Sequence, residues 1–225
     1  MLRKTLPFLF LVGATPALAD GPGPVATLDR AARLYAHGMA SDDAVAVVAA
    51  FNLAREVTLR TATGWLHTND AAADTALPAS APTAADVDGH LLASPLSLLT
   101  GAAEDAARLM AEGDDDLTEI VEIVAADIGR RPTGAANAAN AALAAGTVDI
   151  WEVPFAGQVR AEVGMFGDGT ELGLQVADAS GGTVCLPRIS TGAISCAFTP
   201  DDNSFYTVTV TNRGGATARY MLLTN

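Results

Sequence analysis

The sequence predicts a segregated α+β protein, with a small antiparallel helical bundle followed by an antiparallel, jelly-roll-like β-sandwich. Three observations carry this. Apolar residues recur every three to four positions up to about residue 128 and every second position from about residue 150. Turn dipeptides punctuate the second half at close intervals, as short strands require. Both cysteines, Cys185 and Cys196, fall in that second half.

The chain of 225 residues opens on a secretory pattern. Arg3 and Lys4 form a positive start, residues 6–12 (LPFLFLV) an apolar core, and Ala17-Leu18-Ala19 the small residues read by a signal peptidase. The expectation is a Sec-type signal peptide over residues 1–19, cleaved after Ala19, in a bacterial protein that is periplasmic or secreted. The apolar run is far shorter than the roughly 20 residues that cross a bilayer, so no membrane insertion is expected after cleavage. The net charge of −13 argues against nucleic acid, which is bound through clustered Lys and Arg. Two cysteines in an exported chain should pair. The ten residues between them carry Ser190-Thr191-Gly192 as a turn signal, which suggests a disulfide across a hairpin.

A helical domain is expected over residues 20–130. Leu28, Ala32, Tyr35 and Met39 share one face of a first helix, with Thr27 available to cap it. Ser41 opens a second helix running to about Arg60, with Asp42 and Asp43 in its first turn. Residues 61–90 show no sustained period and read as a long loop, with Trp65 packing over the end of the second helix. Ser94-Pro95 starts a third helix that runs to Gly113. Asp116 and Glu119 form a capping-box-like pair for a fourth, whose Leu117, Ile120, Val121, Val124 and Ile128 are spaced by three and four. Residues 131–147, rich in Ala, Asn and Gly, read as a linker. Residues 148–225 form the β domain, with turns at Gly167-Asp168-Gly169, Ser180-Gly181-Gly182, Asp201-Asp202-Asn203 and Gly214-Gly215.

Within the β domain, Leu174, Val176 and Asp178, then Thr199-Pro200, then Tyr206, Val208, Val210, Asn212, Arg213 and Gly214 occur in a recognisable order. This part of the chain, about a third of it, resembles the bacterial pre-peptidase C-terminal (PPC-like) domain. The resemblance implies a compact β-sandwich on an exported protein, of a kind often attached to secreted peptidases. Some such domains bind matrix polymers and some bind calcium. Gly173 and Gln175 stand where the family often carries a D-x-D pattern.

Motifs for chemistry are missing. There is no Gly-x-Ser-x-Gly elbow, no His-Glu-x-x-His and no phosphate-binding Gly-x-x-x-x-Gly-Lys. No catalytic residue and no cofactor are therefore expected, and no metal site beyond calcium candidates at Asp168, Glu171, Asp178, Asp201 and Asp202 near predicted turns. The ordinary role of Asp at such positions is local backbone bonding. The reading that follows is an exported, non-catalytic binding, recognition or adhesion module of the cell envelope or medium, with a protein or polymer partner. One alternative is an enzyme whose site lies in the 61–90 loop, where His67, Asp70, Asp74, Asp86 and His90 would converge. Another is a calcium-responsive structural protein of the envelope.

Overall fold

The computed structural model describes residues 21–69, 94–126, 132 and 134–225. In chain order these form α1 (Pro24–Ser41), α2 (Ala44–Arg55), β1 (Val57–Thr61), β2 (Leu66–Asn69), α3 (Pro95–Thr100), α4 (Ala102–Ala111) and α5 (Asp115–Ala125). There follow β3 (Gly134–Leu143), β4 (Val148–Phe155), β5 (Ala161–Gly167), β6 (Leu172–Ala177), β7 (Thr183–Ser190), β8 (Ile194–Phe198), β9 (Ser204–Asn212) and β10 (Ala218–Thr224). Residues 1–19, where a signal peptide is expected, and Asp70, Asp74, Asp86 and His90 lie outside the described residues.

The strands make two five-stranded sheets, one in the order β1-β3-β10-β5-β8 and the other β2-β4-β9-β6-β7. Every pairing is antiparallel except β1 with β3, which is parallel. From β3 onward the chain changes sheet at every connection but one, the β6–β7 hairpin. Consecutive strands thus face each other across the interior. Trp151, Val153, Leu174, Val176, Val208 and Val210 from one sheet meet Leu143, Val163, Met165, Tyr220 and Leu222 from the other in a shared core.

The first sheet is apolar on its other face as well. In β10, Tyr220 and Leu222 point into the sandwich while Met221 and Leu223 join the helices. Phe166 of β5 and Ala136 of β3 also face the helices. The result is three layers, helices on sheet on sheet, and strands buried on both faces where the sheet is central. The expected division into a helical domain, a linker and a β domain does not hold here, because Leu28, Val47, Ala103, Phe166 and Leu223 share one core.

Several expectations need correction. Within the expected 131–147 linker, Gly134–Leu143 is instead β3, seated between β1 and β10. Ala and Asn are poor strand formers, yet tertiary context overrides that preference. Ala136 and Ala138 pack on the helical side while Ala139, Ala141 and Leu143 pack on the sandwich side, so small side chains let both layers come close. The second helix stops at Arg55 rather than near Arg60, because Val57–Thr61 pairs with β3. The loop at 61–90 contains β2, an edge strand of the second sheet. Gly101, at φ 86°, breaks the third predicted helix into α3 and α4. The caps shift too. The side chain of Asp43 accepts from Ala46 N to start α2, and that of Asp114 accepts from Leu117 N to start α5, each at 3.0 Å.

Helix α1 has no cap from its own turn, and its N-cap residue is Gly23. The Glu162 carboxylate on β5 fills that place. Its Oε2 accepts from the backbone N–H groups of Val25 and Ala26, both at 3.1 Å. A charged oxygen at the positive end of the helix is favourable, and it fixes α1 against the first sheet. Thr27, expected as the cap, lies inside the helix and donates back to Gly23 O.

Candidate functional site

Cys185 and Cys196 form a disulfide, with Cα atoms 6.2 Å apart. It does not cross a hairpin within one sheet. Cys185 lies on β7 and Cys196 on β8, the terminal strands of different sheets. The turn signal at Ser190–Gly192 carries the chain from one sheet to the other, so the bond closes the sandwich at that side.

The five calcium candidates are not brought together, and among the described residues no group of three or more His, Cys, Asp or Glu could share a cation. Asp168 accepts from Thr170 N at 3.1 Å and from Arg219 N at 2.7 Å. Asp178 closes the β6–β7 hairpin, accepting from Ser180 N, Ser180 Oγ and Gly182 N. The Ser180 hydroxyl, then the backbone N–H of Gly182, hold the Asp178 carboxyl below its usual range. Glu171 contributes its backbone carbonyl to Arg213 N. Asp201 and Asp202 are exposed in the turn before β9.

His67 is the one member of the proposed loop site that the structure describes, and its partners come from elsewhere. On β2 it stands opposite Trp151 of β4, and Asn69 stands opposite Asp149. Asp149 is fully buried. Its Oδ1 accepts from Asn69 Nδ2 at 2.6 Å and lies 3.0 Å from His67 Nε2. Its Oδ2 accepts from the Tyr220 hydroxyl at 2.5 Å, and that hydroxyl accepts from Trp151 Nε1 at 2.8 Å. The His67 ring stacks on Trp151 at 3.9 Å, and Trp65 meets Trp151 edge-on at 6.0 Å. Trp65 therefore packs on the sandwich core and not over α2. Burial first, then the Asp149 carboxylate, push the Tyr220 phenol well above its ordinary range.

Asp149 was missed by motif reading, although a signal was present. In VDIWEVPF it shares its parity with Trp151, Val153 and Phe155, which places a carboxylate on the inward face of a strand. Such a group must find donors, and Tyr220, Asn69 and His67 supply them. The cluster can do two things chemically. It locks the edge strand β2 to the end of the sandwich, and it presents an imidazole, 34% exposed, backed by a buried carboxylate.

A second feature lies at the opposite side, where β7 and β8 end their sheets. Among the described residues no strand pairs with their outer edges. A groove of about 360 Å³ runs here between the start of α1, β8 and β7. Its charged lining is Arg160, Glu162 and Arg188, and its apolar lining includes Val25, Val184 and Leu186. Leu186 is 78% exposed, and Val184 and Ile189 are also exposed on the same strand. The β6–β7 register slips, so that Leu174 faces Arg188 while Val176 faces Cys185. This bulge sets Arg188 on the disulfide's side of the strand.

The chain matches no protein-family model and no curated protein. Among solved structures it is similar to a sugar phosphate isomerase of the cupin superfamily from Silicibacter pomeroyi DSS-3, at 15% identity and a TM-score of 0.18. The match covers 37% of this chain and 52% of that one, so the chain spans about half the length of that protein. At this level the likeness carries no weight for activity.

Proposed function

We propose that this protein is an exported recognition module that acts by binding a protein or polymer partner, in the periplasm or the medium, without catalysis. The single observation that carries the reading is the open β7/β8 edge. There Leu186, Val184 and Ile189 stand exposed beside a groove, on a framework closed by a disulfide. Exposed apolar residues on an edge strand invite association. The disulfide favours an oxidising compartment outside the cytoplasm, in keeping with the secretory pattern of residues 1–19. The resemblance of the β half to PPC-like domains, with its jelly-roll-like strand order and a helical bundle laid on one face, fits a binding module. Calcium-organised envelope structure has less support, since Asp168 and Asp178 spend their carboxylates on turn donors.

The test is affinity capture from envelope and medium, with the wild-type mature chain and a Leu186→Asp variant as baits. A partner held by the first and lost by the second supports the reading. Equal capture by both, or none by either, refutes it. Deleting the β half would be a poor control, because the helices would lose the sheet they pack on.

A second reading rests on His67. An imidazole held by a buried carboxylate is the arrangement of a general base, and His67 Nδ1 makes no hydrogen bond among the described residues. Turnover that disappears in His67→Gln, at unchanged stability, would favour this enzyme reading over binding.

A further inference from the structure

We infer that the groove along the β7/β8 edge binds an extended acidic polypeptide segment by strand addition; the inference rests on the recognition reading above and names its partner. The first support is charge. The chain carries −13 overall, yet this groove is lined by two guanidinium groups and one carboxylate. That carboxylate, Glu162, is buried and already engaged by Val25 N, Ala26 N and Arg160 Nε, the last at 3.3 Å. Arg188 is exposed and has no ion pair among the described residues. An incoming carboxylate therefore meets Arg188 as the open charge, since Arg160 and Glu162 offset each other in their ion pair, and the rest of the acidic surface repels an anion from elsewhere.

The second support is backbone. β7 and β8 each end a sheet, so each has an edge that pairs with no strand among the described residues; Pro187 leaves the β7 edge one N–H short, and β8, without proline, keeps its ladder of N–H and C=O groups for an added strand. An added strand satisfies such a ladder, and its alternate side chains reach opposite faces. The groove offers both kinds of side chain something to hold, Arg188 for acidic positions and Val184 with Leu186 for apolar ones. The disulfide between Cys185 and Cys196, which lines the groove, ties the two edges together. A polysaccharide with carboxylates shares the charge but cannot complete a peptide ladder, which is why a polypeptide is favoured.

The test uses fluorescence anisotropy with a labelled, end-capped octapeptide of alternating Glu and Val, added to the full mature protein. Saturable binding is expected, falling about tenfold or more in Arg188→Glu and weakening with salt. The Lys/Val counterpart should not bind. A peptide with alternate backbone nitrogens methylated, of unchanged charge, should lose most of its affinity. No saturable binding, equal binding of the Lys/Val peptide, or indifference to Arg188→Glu would overturn the inference. So would full affinity of the methylated peptide, or stronger competition by polygalacturonate than by unlabelled peptide. If the peptide fails while Leu186→Asp still abolishes partner capture, the partner chemistry falls and the recognition reading stands. Loss of both removes the edge as a binding surface.

Discussion

Tyr220→Phe isolates the buried cluster at the β2 end of the sandwich. The change removes one oxygen and keeps the ring, which is buried against the sandwich core. Two groups lose a partner. The Asp149 carboxylate, fully buried, keeps Asn69 and His67 but loses its 2.5 Å donor. Trp151 Nε1, which donates to the same hydroxyl, is left without an acceptor. A hydrogen bond to a charged group contributes about 1.5–3 kcal/mol, and an orphaned buried donor costs about 1–3 kcal/mol. The two overlap, and a loss of about 3 kcal/mol is the expected sum. Against a total of roughly 5–15 kcal/mol, that is a large fraction. Urea unfolding followed by intrinsic fluorescence is a suitable assay, because the chain's two tryptophans, Trp65 and Trp151, both belong to this cluster. The midpoint should fall by about 1 M or more with the slope unchanged. Tyr206→Phe is the control, since its hydroxyl has no hydrogen bond among the described residues, and should stay within about 0.5 kcal/mol. A Tyr220→Phe loss no larger than the control's would refute the view that Asp149 depends on this hydroxyl.

Reduction of the Cys185–Cys196 bond, which closes a separation of 11 residues, should lower stability by up to about 3 kcal/mol, read as a urea midpoint shift with and without dithiothreitol. Gly23→Ala should destabilise, because alanine is a poorer N-cap than glycine and its Cβ would fall on the Glu162 carboxylate. A loss of about 1–3 kcal/mol is expected, and a gain would show that Glu162 does not hold α1. Burial raises the Tyr35 phenol to about 12, above its unfolded value of about 10. The folded state therefore keeps a proton that the unfolded state releases, so stability is intact below about pH 10 and declines as pH rises toward 12. Tyr35→Phe should flatten that decline, and an unchanged slope in alkaline denaturation would contradict the assignment.

How far the fold was legible depends on what each residue had to report. Alternation alone marked β5, β6, β9 and β10, and helical spacing marked α1, α2 and α5. β3 was hidden because Gly134–Leu143 is almost all Ala and Asn, residues that favour neither period, and its place is decided by the layers above and below it. β1 and β2 were hidden for a related reason, since each is short and pairs with strands more than 70 residues further on. The disulfide was legible as a pair, but its span was not, because a turn signal does not say whether the next strand stays in the sheet or crosses to the other. Yet the third layer was written in the chain. Along β9 the alternate residues Thr207, Thr209 and Thr211 are polar, as suits a sheet with one face in solvent. Along β10 the run Tyr220-Met221-Leu222-Leu223 is apolar at both parities, which only a cover on each face can satisfy. A strand of that kind beside an unattached set of helices implies that the helices are its cover, and the observed core bears this out. The same parity logic identifies Asp149, and it does so without any catalytic or metal motif. An inward carboxylate between apolar neighbours requires buried donors, and those donors are what tie the edge strand of the N-terminal half to the sandwich of the C-terminal half.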